Sequence, residues 1–142
     1  MSDDRESGVD MDVVIVDDHD DTREVAAEVL RIQGFAVRDF ARAEDALEAM
    51  KSEPPRAAVI DLTLGAMSGE DLARALRAHG VASRFALVAM TGHTSAKDNV
   101  ERLWDCVLIK PVDPFELART LRRLVAERAS ATPRTDPRTA DR

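Results

Sequence analysis

Five short apolar runs, each followed by a stretch of helical period, most constrain what this chain can fold into. The runs are Val13–Val16, Phe35–Phe40, Ala57–Leu62, Phe85–Met90 and Val107–Ile109. The first, third and fourth are close to continuously apolar, which predicts central parallel strands covered on both faces. Phe35–Phe40 carries Arg38 and Asp39 and suits an edge strand. Strands alternating with helices imply right-handed crossovers and a doubly wound five-stranded parallel α/β sheet, with helices on both faces.

The intervening segments carry their own punctuation. Asp21 and Glu24 have the spacing of a capping box, with Val25, Ala26, Val29 and Leu30 forming one face behind them. Gly34 fits the residue after that helix. Ala43–Lys51 presents Ala46, Leu47 and Met50 and ends before Pro54 and Pro55. Glu70–Ala78 presents Leu72, Ala73 and Leu76, and Gly80 stops it. Thr94–Leu103 is expected to be helical. Pro114 opens a last helix whose inner face is Leu117, Ala118, Leu121, Leu124 and Val125. Residues 1–11 and 129–142 are polar and are expected to be disordered tails, leaving one domain over residues 12–128.

Composition narrows the function classes. A formal net charge of −7 argues against general nucleic-acid binding, which needs a basic footprint. No apolar run approaches the roughly 18 residues that span a bilayer. The single cysteine, Cys106, excludes an intramolecular disulfide and fits a reducing, cytoplasmic setting, where it would serve as a small buried hydrophobe.

Ligands of an open α/β sheet sit outside the carboxyl ends of its strands. The residues there are Asp17 and Asp18 after the first run, Asp61 near the end of the third, Thr91 and Gly92 after the fourth, and Lys110 and Pro111 after the fifth. Three carboxylates, a hydroxyl and an ammonium thus converge on one edge. Clustered carboxylates repel unless a cation joins them, and an all-oxygen site suits Mg²⁺. A carboxylate beside such an ion can act as a nucleophile and form an aspartyl phosphate. Thr91 and Lys110 would then bind the phosphoryl oxygens. Taken singly, each residue has a bland reading: solvated carboxylates, a turn, a strand end. His19 and His79 read as surface residues.

The segments VIVDDHDD, AVIDLTLGAMSG, ALVAMTG and LIKPVDP resemble the four signature stretches of bacterial response-regulator receiver domains. The gap from Asp17 to Asp61 is 44 residues and that from Asp61 to Thr91 is 30, both usual in that family. The resemblance covers roughly residues 12–126. It implies a flavodoxin-like fold with strand order 2-1-3-4-5, and a phosphoacceptor at Asp61 that assists its own phosphorylation. By the same resemblance Asp17, Asp18, Asp61 and the backbone carbonyl of Thr63 hold Mg²⁺. Thr91 is then the switch hydroxyl and Lys110 the phosphate-binding lysine, followed by what is often a cis bond to Pro111. Gly92 matches the small residue that keeps the site open. The implied partners are a sensor histidine kinase or phosphotransfer protein and a downstream protein, with the receiver a monomer or weak homodimer.

The pattern also breaks in places. The aromatic residue or histidine usual three positions before the lysine is Val107, which has no large rotamer swing to offer. The interval from Thr91 to Lys110 is 19 residues, shorter than is usual, and Leu103-Trp104 lies where a glycine commonly precedes the last strand. Gly65 replaces a common proline. His93 and Thr63 occupy the two positions that flank the phosphoryl group in the family.

No output domain follows residue 126 in this sequence, so a stand-alone receiver signalling by protein contact is expected. The contact surface is expected on the fourth helix, last strand and last helix, with Trp104 partly exposed and Arg119, Arg122, Arg123 and Arg128 on the outer side. A phosphorylation-independent interaction module is the competing reading. A phosphatase working through an aspartyl phosphate fits poorly, because Thr63 stands where a second aspartate would be the general acid.

Overall fold

The computed structural model describes residues 11–64, 67–81, 84–92 and 103–135, with side chains described up to 128. Its elements are β1 (Asp12–Val16), α1 (Asp20–Ile32), β2 (Ala36–Phe40), α2 (Ala43–Ser52), β3 (Ala57–Asp61), α3 (Gly69–Ala78), β4 (Ala86–Thr91), β5 (Cys106–Ile109) and α4 (Pro114–Thr135). The strands form one all-parallel sheet in the order β2-β1-β3-β4-β5. This is the flavodoxin-like doubly wound arrangement, and β2 is an edge strand as Arg38 and Asp39 suggest.

Side-chain alternation divides the core. Val13 and Ile15 of β1, with Ala57 and Val59 of β3, pack against Ala27 and Leu30 of α1 and Leu117, Ala118 and Leu121 of α4. Val14, Val16, Ala58 and Ile60 point the other way, onto Ala46 and Met50 of α2 and Leu72 and Leu76 of α3. A strand apolar at every position is thus one covered on both faces. Gly34 has φ +102°, donates its N–H to Arg31 O and closes α1 where a side chain would be strained.

Several expectations need correction. The capping box at Asp21 and Glu24 does not form: the N-cap lies two residues earlier, at His19, with no side-chain cap bond. The cause is the tight exit from β1, where Asp17 Oδ1 accepts the His19 N–H and starts the turn at once. Val25, expected inside, is 57% exposed, and Ala27 and Leu30 instead face the sheet. Trp104, expected at the surface, is buried against the α2–α3 side of the core together with Leu103 and Val107. Cys106 is only half-buried, as suits the edge strand that carries it.

Helical backbone continues to Thr135, past the expected boundary at residue 128. An established helix gains one backbone bond for each residue added. The expected helix at Thr94–Leu103 lies almost wholly outside the described residues, as do Gly65 and His93. Among the described residues no helix is long and apolar enough to cross a membrane.

Candidate functional site

Sheet register builds the site. Val16 pairs with Ile60, Asp61 with Met90, and Thr91 with Ile109, so Asp17, Asp61, Thr91 and Lys110 leave the sheet along one edge. The Lys110 N–H donates to Thr91 O at 2.7 Å, fixing those two residues side by side. The Lys110–Pro111 peptide is cis.

Asp61 is fully buried and fully engaged. Its Oδ2 accepts from Lys110 Nζ at 2.9 Å, and its Oδ1 accepts from both the N–H and the hydroxyl of Thr63, each at 2.9 Å. Burial alone would push this carboxyl up. The Thr63 and Lys110 hydrogen bonds outweigh it and hold the group below the usual carboxylate value.

Asp17 is equally buried but poorly supplied. Its Oδ1 accepts from the His19 N–H at 2.9 Å, while Oδ2 is sealed from solvent with no hydrogen-bond partner among the described residues. Burial pushes the Asp17 carboxyl up, and the negative charge of Asp61 pushes it further. An orphaned, buried carboxylate oxygen facing a second carboxylate is what a hard divalent cation would relieve. Asp18 stands beside it, more exposed, and one donor atom from each of Asp17, Asp18, His19 and Asp61 lies within 4.8 Å of the others.

Two contributors escaped the sequence reading. His19 is on the surface as expected, yet its Nδ1 lies 3.2 Å from Asp17 Oδ1 and 3.3 Å from Asp18 Oδ1. Arg23, one turn into α1, donates to the Asp17 carbonyl, to Asp39 Oδ2 and to Asp20 Oδ1 at 2.8–2.9 Å, tying the acidic loop to β2. A histidine directly after an Asp-Asp pair was the available signal for the first. The second depends on a turn geometry that spacing does not reveal.

Beside the acidic edge, a cleft of about 660 Å³ runs between α1 and the start of α4. Val25, Ala26, Val112, Pro114 and Leu117 line it, and it reaches Asp17 and Lys110. A Cβ placed on Gly92 would meet nothing within 4 Å among the described residues.

Comparison with known proteins agrees with this geometry. The response regulator receiver domain profile matches residues 13–122. The chain belongs to the response regulator receiver domain family. The acid tolerance regulatory protein ActR of Sinorhizobium medicae is 31% identical to this receiver over 136 residues, which cover 95% of this chain and 69% of ActR. A CheY-like receiver domain from Methylobacillus flagellatus superposes with a TM-score of 0.71 at 30% identity, covering 80% of this chain and 98% of that one. The receiver domain of the sensor histidine kinase PA1611 from Pseudomonas aeruginosa PAO1 shares the fold, with TM-score 0.75 at 24% identity over 82% of this chain and 98% of its own. That structure has a magnesium ion coordinated in its active-site cleft. Receiver domains are phosphoacceptors that hold Mg²⁺ in an acidic pocket, and the described residues of this one include such a pocket.

Proposed function

We propose that Asp61 accepts a phosphoryl group from a sensor histidine kinase or phosphotransfer protein, with Asp17, Asp18, Asp61 and the Thr63 carbonyl holding Mg²⁺. The observation that carries this reading is a fully buried Asp61 kept ionised by Lys110 and Thr63 at the carboxyl edge of the sheet. A buried carboxylate is costly unless paired, so an ionised one beside an orphaned Asp17 oxygen suits a nucleophile better than a packing residue. The unit carrying this chemistry is residues 12–128.

In the transfer, a carboxylate oxygen of Asp61 attacks phosphorus while the bond from phosphorus to the donor's imidazole nitrogen breaks. The imidazole leaves with that electron pair and takes up a proton. Lys110, already at 2.9 Å from Asp61, shifts its ammonium to a phosphoryl oxygen, and the Thr91 hydroxyl donates to another. Mg²⁺, when bound, neutralises charge shared between carboxylate and phosphoryl oxygens. The phosphoryl group adds about −1.5 to −2 charge and draws Thr91 and Lys110 inward, biasing the chain segment between them. Val107, half-buried against the core, has no aromatic ring to swing with that motion. The apolar cleft, with exposed Val25 on its wall, gives the donor protein a footing next to Asp61.

Beryllofluoride, a phosphoryl mimic, tests the reading. With Mg²⁺ present it should shift the amide resonances of Asp61, Thr91 and Lys110 in the wild type and leave Asp61→Asn unmoved. Equal shifts in both proteins would contradict it.

A further inference from the structure

We infer that the His19 imidazole is a ligand of this metal centre, and that the centre prefers a first-row transition-metal ion such as Co²⁺, Ni²⁺ or Zn²⁺ to Mg²⁺. The inference rests on the reading above that the acidic cluster holds a divalent cation, and it adds a ligand and an ion class.

The ring is aimed at the carboxylates. Nδ1 lies 3.2 Å from Asp17 Oδ1, 3.3 Å from Asp18 Oδ1 and 3.8 Å from Asp61 Oδ2. Donors around one ion, with bonds of about 2.0–2.2 Å, stand roughly 3–3.5 Å apart. The spacing of Nδ1 from the Asp17 and Asp18 oxygens is therefore that of neighbouring ligands on a shared ion, with Asp61 Oδ2 slightly farther. The backbone that carries the ring is held at both polar groups: its N–H donates to Asp17 Oδ1 and its carbonyl accepts from Arg23 N–H. Only the side-chain torsions remain to be set when an ion binds.

A second observation points to a cation at this spot rather than to a ring resting on acids. Asp17 is 1% exposed, and its Oδ2 has no hydrogen-bond partner among the described residues although its other oxygen is engaged. The imidazole nearby touches Oδ1 and so leaves that need unmet. The donor set decides the ion class. Three carboxylates alone suit Mg²⁺, whereas adding an imidazole nitrogen favours the softer ions of the first transition row. Their intrinsic affinities also exceed that of Mn²⁺ in the usual order of the series.

Co²⁺ is the probe of choice, because a bound imidazole gives a solvent-exchangeable Nε2–H proton resonance displaced far outside the diamagnetic range. The full chain contains three histidines, so assignment needs His19→Asn, His79→Asn and His93→Asn. The shifted resonance should appear in wild type, vanish in His19→Asn and persist in the other two. Calorimetry should show Co²⁺ binding weakened at least about tenfold in His19→Asn. Mg²⁺ affinity should not change. His19→Gln, at a surface position, repeats the test should Asn disturb the turn. Loss of the resonance in His93→Asn instead, or unchanged Co²⁺ affinity in both His19 variants, overturns the inference. If Mg²⁺ binds but Co²⁺ gives no such resonance, only the ligand assignment falls. If neither ion binds the wild type, the cation reading of the whole cluster falls with it.

Discussion

Asp17 and Asp61 are both sealed from solvent, yet their carboxyls shift in opposite directions because their partners differ. Asp61, held low by Thr63 and Lys110, contributes stability that is present above the ordinary value of 3.8 and lost as pH falls through its depressed value. Asp17, pushed up by burial and by Asp61, does the reverse: its contribution declines as pH rises from 3.8 through its raised value. In the metal-free protein a negative charge at Asp17 is therefore disfavoured. Asp17→Asn should raise the stability of the metal-free protein at pH 7 by about 1–3 kcal/mol and abolish the stabilisation that Mg²⁺ gives the wild type. Urea unfolding with and without Mg²⁺ checks both. The gap between the two proteins should close as pH is lowered towards 3.8. Thr63→Ala removes one of the two Thr63 donors to Asp61, so the Asp61 carboxyl should titrate closer to its ordinary value in carbon-detected NMR. At this scale the sequence singled out the acids that the fold brings together, since Asp61 ends an apolar run. It did not show His19 or Arg23, whose roles come from a turn that Asp17 itself closes.

Elements position those residues through close backbone contact. Gly69 opens α3 against the end of β3, and a Cβ there would fall 2.5 Å from the Asp61 carbonyl oxygen and 2.9 Å from Leu62 Cα. Both obstacles are backbone, so the loop itself would have to move. Gly69→Ala should cost about 1–3 kcal/mol and slow phosphorylation of Asp61, since the displaced loop carries Thr63. Ser68 precedes it as the α3 N-cap, accepting the Asp71 N–H at 3.0 Å. Element type was readable from apolar period and from Gly34, Gly80 and Pro114. The ends were less so: α1 starts before its expected cap, and α4 outruns residue 128.

Across the whole molecule, the acidic edge, the apolar cleft and the last strand share one end of the sheet. On the proposed reading, that arrangement separates approach of a donor from chemistry at Asp61. Val25→Glu, on an exposed wall of the cleft, should slow phosphoryl transfer from a histidine kinase at least about tenfold while leaving phosphorylation by acetyl phosphate unchanged. Stopped-flow rates with the two donors distinguish these outcomes. The convergence of four strand ends follows from alternation and the carboxyl-edge rule and is legible in the residues alone, whereas the strand order came only from the resemblance to receiver domains. The burial of Trp104 is not, because it depends on a long-range fit between the β5 approach and the α2–α3 side. The basic outer side of α4 also proves less available than its sequence suggests: Arg119 pairs with Glu116, Arg123 with Glu127, and Arg122 stacks over Phe35 and bonds Gln33. The central claim is that Asp61 is a phosphoacceptor, and intact mass after incubation with acetyl phosphate and Mg²⁺ tests it most directly. The account predicts a single phosphoryl increment that requires Mg²⁺ and is absent in Asp61→Asn. An increment that persists in Asp61→Asn, or none in a folded wild type with both acetyl phosphate and a cognate kinase, would contradict it.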